Sequence, residues 1–299
     1  MASPGTVRIG VSGWRYAPWR GDFYPKGLAQ RRELAYMGEQ FATNEINGTF
    51  YSLQRPTSFA QWANDVPGDF QFSVKGPRFI THILRLKDAE TPLANFFASG
   101  VLLLGAKLGP FLWQLPPSFR FDADRIAGFL RQLPRDFAQA AALAGRHDSH
   151  IAGRAVTEAT GTGKLRHAME IRHESFAAPE FIELLRQEGV ALVCADSVEW
   201  PRLMDVTADF VYCRLHGSEE IYASGYDDTA IAEWAARVKA WARGGEPADA
   251  QRVIATPGPK RARRDVYVYF DNDAKVRAPY DARALIARIA PERGRRLSS

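Results

Sequence analysis

The sequence predicts a closed (β/α)8 barrel, and three observations carry that prediction. Eight short runs rich in β-branched and aromatic residues alternate with segments whose apolar residues recur every three or four positions, the pattern of parallel β/α units. No G-x-G-x-x-G follows the first strand, as an open dinucleotide-binding sheet would require. The 299 residues contain no Ser/Gly linker, composition break or solenoid repeat, so one domain is expected, with the barrel over about 7–292 and a short basic C-terminal tail.

The first strand is expected over 7–14, leading into a loop crowded with Trp14, Tyr16, Trp19, Phe23 and Tyr24. Strands two and three are expected over 42–47 and 70–75, and strand four over 111–115. The most apolar stretch, 96–106, is too short to span a bilayer. Beyond strand four, Ile126, Phe129, Leu130 and Leu133 share one helical face. The longest connection, 134–164, holds an Ala-rich helix over 137–143 and then a polar loop, suited to act as packing or as a lid. Strands five and six are expected over 166–172 and 190–196, separated by a helix whose apolar face carries Phe181, Leu184 and Leu185. Strand seven, 209–216, precedes a helix with Ile231, Trp234, Val238 and Trp241 inward. Strand eight, 266–270, follows the basic run Lys260-Arg261-Ala262-Arg263-Arg264.

At 46% hydrophobic and 24% charged, the composition excludes disordered and collagen-like chains. A net charge of +5 favours anionic partners mildly. Cys194 and Cys213 sit in apolar runs with no C-x-x-C spacing, as buried free thiols of a reducing compartment would. The first six residues lack the layout of a secretory signal, so a cytoplasmic location and no membrane partner are expected.

Barrel chemistry gathers at the C-terminal ends of the strands, where the loops converge. That rule selects Glu45 and Asn47 on strand two, Lys75 on strand three, Gln114 on strand four, Glu170, Arg172 and His173 on strand five, Asp196 on strand six, Arg214 and His216 on strand seven, and Asn272 and Asp273 after strand eight. Side chains alternate faces, so Glu45 with Asn47, Glu170 with Arg172, and Arg214 with His216 are expected to point together into the mouth. The same charges can instead form a buried ion-pair lattice that fills the barrel. As a site, Lys75, Arg172 and Arg214 offer positive charge for carboxylate or phosphate oxygens, while Glu45, Glu170 and His216 offer proton transfer. Asn47, Gln114, His173, Asn272 and Trp14 complete a substrate-binding set.

Glu45, Glu170, His173, Asp196, His216 and Asp273 are usable ligands for a divalent metal, but no tight ligand motif supports one. His147-Asp148-Ser149-His150, the compact cluster, reads as a solvated loop. Gly161-Thr162-Gly163-Lys164 fails as a phosphate loop, with Glu158 in place of the first Gly and Leu165 in place of Ser or Thr, so no nucleotide-cofactor motif is present. Nor does the chain carry a G-x-S-x-G elbow.

Several motifs in order resemble the YecE-like, or DUF72, family: Gly10-Val11-Ser12-Gly13-Trp14, Asn44-Glu45-Ile46-Asn47-Gly48-Thr49-Phe50-Tyr51, Val74-Lys75-Gly76-Pro77-Arg78 with Thr81-His82, Gln114-Leu115-Pro116-Pro117, Glu170-Ile171-Arg172-His173-Glu174-Ser175-Phe176, Arg214-Leu215-His216-Gly217 and Tyr269-Phe270-Asp271-Asn272-Asp273. The resemblance runs over roughly 7–286. It implies a TIM barrel and no known reaction. It also maps the family's motif residues onto Glu45, Asn47, Lys75, His82, Gln114, Glu170, Arg172, His173, Arg214, His216, Asn272 and Asp273. Gly48 stands where Ser is common and Phe176 where Trp is common, and the connection after Pro134 resembles one branch of the family.

The leading functional reading is an enzyme performing acid/base chemistry on an anionic small molecule at the mouth. A nucleic-acid-binding protein or phosphodiesterase would use the same mouth, the aromatic loop as a stacking surface and the basic run near Lys260. A non-catalytic scaffold would use the strand-end charges for stability alone.

Overall fold

The β-rich runs become eight parallel strands that close on themselves in chain order: β1 (Val7–Ser12), β2 (Thr43–Ile46), β3 (Gln71–Lys75), β4 (Leu108–Gln114), β5 (His167–Glu170), β6 (Ala191–Asp196), β7 (Phe210–Leu215) and β8 (Asp265–Phe270), with β8 returning to β1. The computed structural model describes residues 4–217 and 224–289. Met1, Ala2 and Ser3, the expected barrel end near 292 and the basic tail lie outside the described residues.

The helices that cover the barrel are α1 (Glu33–Gln40), the single turn α2 (Gly48–Tyr51), α3 (Pro56–Asp65), α4 (Glu90–Ala98), α5 (Ala123–Leu130), α6 (Phe137–Ala144), α7 (Pro179–Glu188), α8 (Asp228–Ala242) and α9 (Arg277–Ile289). Aspartate side chains satisfy orphan amides at three starts: Asp122 at α5, Asp136 at α6 and Asp227 at α8. The expected apolar faces are the buried ones, with Ile126 and Phe129 on α5, Phe181 and Leu185 on α7, and Trp234 and Trp241 on α8. No helix among the described residues is long and apolar enough to cross a membrane.

Strand ends depart from the periodicity reading where local backbone chemistry intervenes. Gly13 takes a φ of +77° and turns the chain, so Trp14 leaves the first strand. β4 starts three residues before its expected start, at Leu108-Gly109-Pro110, and its pairing with β3 shifts register between Phe72 and Val74, beside the proline that lacks an amide donor. β5 ends at Glu170, which leaves Arg172 in the following loop.

Alternation sorts the side chains into two layers. Outward residues such as Val74, Phe111, Trp113, Cys194, Cys213 and Phe270 join the large core beneath the helices. The inward set is led by Leu112, Ala168, Val193, Ala195, Tyr212, Tyr267 and Tyr269. The alanines leave room for the tyrosines, whose hydroxyls find partners inside the barrel. Tyr267 donates to Gln71 Oε1 at 2.6 Å, Tyr269 meets Thr43 Oγ1 at 2.7 Å, and Tyr212 lies 2.7 Å from Ser73 Oγ. The interior is thus already polar below the mouth.

The 134–164 connection packs against the barrel wall. His167 Nε2 contacts Pro134 O at 2.7 Å, Val156 N donates to Ala98 O, and Asn95 exchanges hydrogen bonds with Asp148.

Candidate active site

Above the tyrosine layer, the inward ends of β1, β2, β5 and β7 deliver Ser12, Glu45, Glu170 and Arg214 to one point. Arg214 is fully buried, and its guanidinium reaches three carboxylates: Glu45 at 2.9 and 3.1 Å, Glu170 at 2.7 Å and Asp271 at 2.7 Å. Glu45 also accepts from Tyr212 Oη at 2.7 Å and from Ser12 Oγ at 3.0 Å, so the polar interior of the barrel ends in this carboxylate. His216 continues the β7 inward series, with Nδ1 3.2 Å from Asp271 Oδ2 and Nε2 3.9 Å from Glu170 Oε1.

Two further cations stand at the rim. Arg172 Nε donates to Glu170 Oε1 at 2.8 Å while its guanidinium lies 4.1 Å from the centre of the Trp200 ring. Lys75, 9% exposed, holds its ammonium 4.3 Å from the Phe50 ring centre. Phe50 is placed by α2, whose Thr49 Oγ1 donates to Lys75 O at 2.6 Å and ties the helical turn to the end of β3. The His82 ring, on a π-helical turn at Phe79–Ile83, meets the same Phe50 edge-on at 5.1 Å.

The electrostatics follow from this crowding. Burial alone would raise Glu170 and Asp271, but Arg214 chiefly, joined by Arg172 at Glu170, by the His216 side chain at Asp271 and by Lys75 at both, holds them below the usual carboxylate range. Asp273 goes the other way, pushed well up by burial and then by Asp271. Burial, followed by repulsion from Arg214, pulls Lys75 down to about 8. Burial and then Lys75 lower His82 to about 4, so its ring is neutral. Glu45, Glu170 and Asp271 therefore lie among Arg214, Arg172 and Lys75, with Asp273 next to Asp271.

Several expected site residues are used elsewhere. Arg214 was expected to grip an anion, but the three carboxylates engage its guanidinium. Asp196 faces outward, accepting from Tyr226, Trp234 and Arg202 beneath α8. His173 accepts the Ser175 amide at its Nδ1 and caps the turn Glu174–Phe176. Asn272 donates to Asp281 Oδ2 at 2.7 Å and to Ser224 O, which secures α9 rather than the mouth. Gln114 pairs in register with Glu170, at the edge of the network. Asn47 lies past the end of β2 and, with Trp14 and Trp62, lines a separate pocket of about 260 Å³.

Trp19, Phe23 and Tyr24 are buried against one another, while Trp14 packs edge-on against Trp62 at 5.3 Å. The basic run before β8 lies at the N-terminal end of the strand, opposite the mouth, and its Arg264 is buried on the carbonyls of Gly245 and Pro259. The run and the mouth are thus at opposite ends of the barrel. Among the described residues, no group of three or more His, Cys, Asp or Glu is arranged to hold a metal.

Periodicity and strand-end position miss Asp271 and Trp200, and they also miss His82, which only the family resemblance points out. Tyr267 and Tyr269 point inward, and the same count of two reaches Asp271 rather than Asn272, a signal present in the sequence. His82 and Trp200 lie on irregular segments where no period applies.

A parallel eight-stranded barrel with a charged network at the C-terminal strand ends defines a TIM-barrel protein whose candidate site occupies the usual mouth position. The chain belongs to the DUF72 family, whose model, described as a protein of unknown function, matches residues 8–298. It is 27% identical over 132 residues to the UPF0759 protein YecE of Escherichia coli (strain K12), covering 44% of this chain and 46% of that protein. It is also 27% identical over 129 residues to the UPF0759 protein YunF of Bacillus subtilis (strain 168), covering 40% and 44%. In these matches the chain spans a little under half the length of the curated relatives. The crystal structure of a DUF72 family protein (TM1631) from Thermotoga maritima MSB8 superposes with a TM-score of 0.71 at 25% identity, covering 94% of this chain and 98% of that one. A DUF72 family protein (EF0366) from Enterococcus faecalis V583 gives 0.67 at 16% identity, covering 95% of both chains, and shares the fold.

Proposed function

We propose that the protein is an enzyme that binds a small anion, bearing phosphate or carboxylate, at the barrel mouth and transfers protons on it. The observation that carries this reading is the cationic rim. Lys75 and Arg172 each lie on an aromatic ring at the edge of a network whose buried carboxylates are already matched by Arg214. A bound anion there would meet fixed positive charge at low dielectric, where such contacts are strongest.

Neighbouring groups pushed in opposite directions support acid/base work. Lys75, drawn down to about 8, changes protonation near neutral pH and is the foremost proton carrier of this reading. His216, between Asp271 and Glu170, is the second. Glu170, held ionised, orients Arg172 and Arg214 rather than giving up a proton. Glu45, engaged by Ser12 and Tyr212, orients Arg214 from beneath.

The test is a thermal-shift screen of phosphorylated and carboxylated metabolites on wild type and Arg172→Ala. We expect at least one anion to raise the wild-type Tm, as mass action requires of a native-state ligand, and the variant to lose that rise while its circular dichroism is unchanged. A rise that survives the substitution overturns the assignment. If removing the rim charges alters stability and no ligand is found, the scaffold reading takes its place.

A further inference from the structure

Beside the mouth lies a pocket of about 440 Å³, opening between α2, the segment after β3, the start of α4 and the 147–150 loop. Its apolar wall is Phe50, Leu53, Pro77, Phe79, Ile80 and Pro92. Such a volume suits one aromatic ring with short substituents. The wall is preformed, because Asn95 on α4 and Asp148 on the loop exchange hydrogen bonds at 3.0 and 3.1 Å.

Two independent observations set this corner apart. Tyr51, Phe79 and Ile83 are 71%, 51% and 59% exposed, three of the five most exposed large apolar side chains among the described residues. Tyr51 and Phe79 line the pocket itself. Clustered exposed apolar groups mark binding surfaces, whereas single ones do not. Phe79 and Ile83 also bound the π-helical turn, and Arg85, Leu86 and Asp88 just beyond it take φ of 51°, 67° and 45°. Left-handed backbone at non-glycine residues is strained and concentrates at functional sites.

The pocket is continuous with the cationic rim through one residue. Phe50 forms part of its wall and also carries the Lys75 ammonium at 4.3 Å. Arg78 lines the same edge. A ligand whose charge rests on Lys75 and Arg172 would therefore have an apolar cavity waiting for the rest of it.

We propose that this pocket is the substrate's apolar subsite, and that the ligand class is an aryl-bearing anion: an aromatic carboxylate or aryl phosphate, with its charge at the rim and its ring among Phe50, Phe79 and Pro92. The proposal rests on the anion-binding reading above and adds to it the part of the ligand that selects among anions.

The experiment compares the Kd of phenyl phosphate with that of inorganic phosphate, and phenylacetate with acetate, by ligand-observed NMR. Four proteins are used: wild type, Phe79→Ser, Tyr51→Ser and Arg172→Ala. The first two substitutions fall on exposed side chains, so the fold is kept. Wild type should bind one aryl anion at least about tenfold more tightly than its bare counterpart, the order expected when a ring leaves water. Phe79→Ser and Tyr51→Ser should reduce that preference and leave bare-anion binding unchanged, whereas Arg172→Ala should weaken both. Equal wild-type affinities for aryl and bare anions, with Arg172→Ala still weakening both, overturn the subsite and leave the anion reading standing. A preference untouched by the two serine variants likewise overturns the subsite. Binding that ignores Arg172, or no binding of any anion, overturns the rim reading and the subsite with it.

Discussion

Arg214 is a single residue on which the electrostatics of the mouth depend. Its buried guanidinium matches the charges of Glu45, Glu170 and Asp271 together. Replacing Arg214 with Met would leave these carboxylates buried against one another, and removal of one partner from a buried pair costs about 3–5 kcal/mol. Urea denaturation should show a loss of that order, and a loss below about 1 kcal/mol would mean that water reaches the cluster. At this scale, the legible part of the site came from parity. Glu45, Glu170, Arg214 and His216 sit at inward positions of their strands, and the sequence shows them there. Asp271 shares the inward parity of Tyr267 and Tyr269 but lies one residue past the end of strand eight. Asp196 has the opposite parity: it follows inward Ala195, so its carboxylate faces α8.

At the scale of elements, closure of the barrel needs close strand approach as well as pattern. Gly10 in β1 lies so near β2 that a Cβ on it would stand 1.9 Å from the Thr43 carbonyl oxygen. Gly10→Ala must therefore spread the pair that positions Ser12 beside Glu45. A destabilisation of roughly 1–3 kcal/mol or more is expected, the range for an overpacked interior, measured as a lowered urea midpoint. An unchanged midpoint would contradict this account of the β1–β2 contact. All eight strands were legible from β-branched and aromatic runs, because parallel strands are buried on both faces. Their ends were less so. Leu108-Gly109-Pro110 reads as a breaker yet forms the start of β4, because neighbouring strands hold a backbone that intrinsic propensity would release. The His82 turn has no periodic signal, since a π-helical turn follows neither period, and only the family motif Thr81-His82 points to it.

Across the whole molecule, buried groups make stability fall on acidification. His167 lies under the barrel wall, accepting from Trp113 Nε1 at its Nδ1 while Nε2 contacts Pro134 O, and burial lowers its pKa to about 3. His82 is lowered to about 4. Both rings have an ordinary value of 6.5 when unfolded, so below that pH the unfolded chain binds protons that the folded chain refuses. Stability should therefore decline from pH 6.5 towards 4, by up to about 1.4 kcal/mol per group and pH unit at the limit. Glu170 and Asp271, ionised in the fold at pH values where unfolded carboxylates take up protons, extend the decline below the usual carboxylate range. Urea midpoints at pH 7, 5.5 and 4 should fall in sequence, and a flat series would contradict these burials.

The central claim is that the mouth is a working cationic rim rather than a sealed lattice, and Lys75 reports on it directly. An amine with a pKa near 8 and a small opening to solvent is a nucleophile at neutral pH, unlike ordinary surface lysines. The measurement is the rate of Lys75 modification by trinitrobenzenesulfonate from pH 6 to 10, read by peptide mass spectrometry in the folded protein, with and without a competing anion. The account predicts modification with a midpoint near 8 and protection by anions that bind the mouth. A Lys75 that stays unmodified until the protein unfolds would contradict it and make the network a structural element of the barrel.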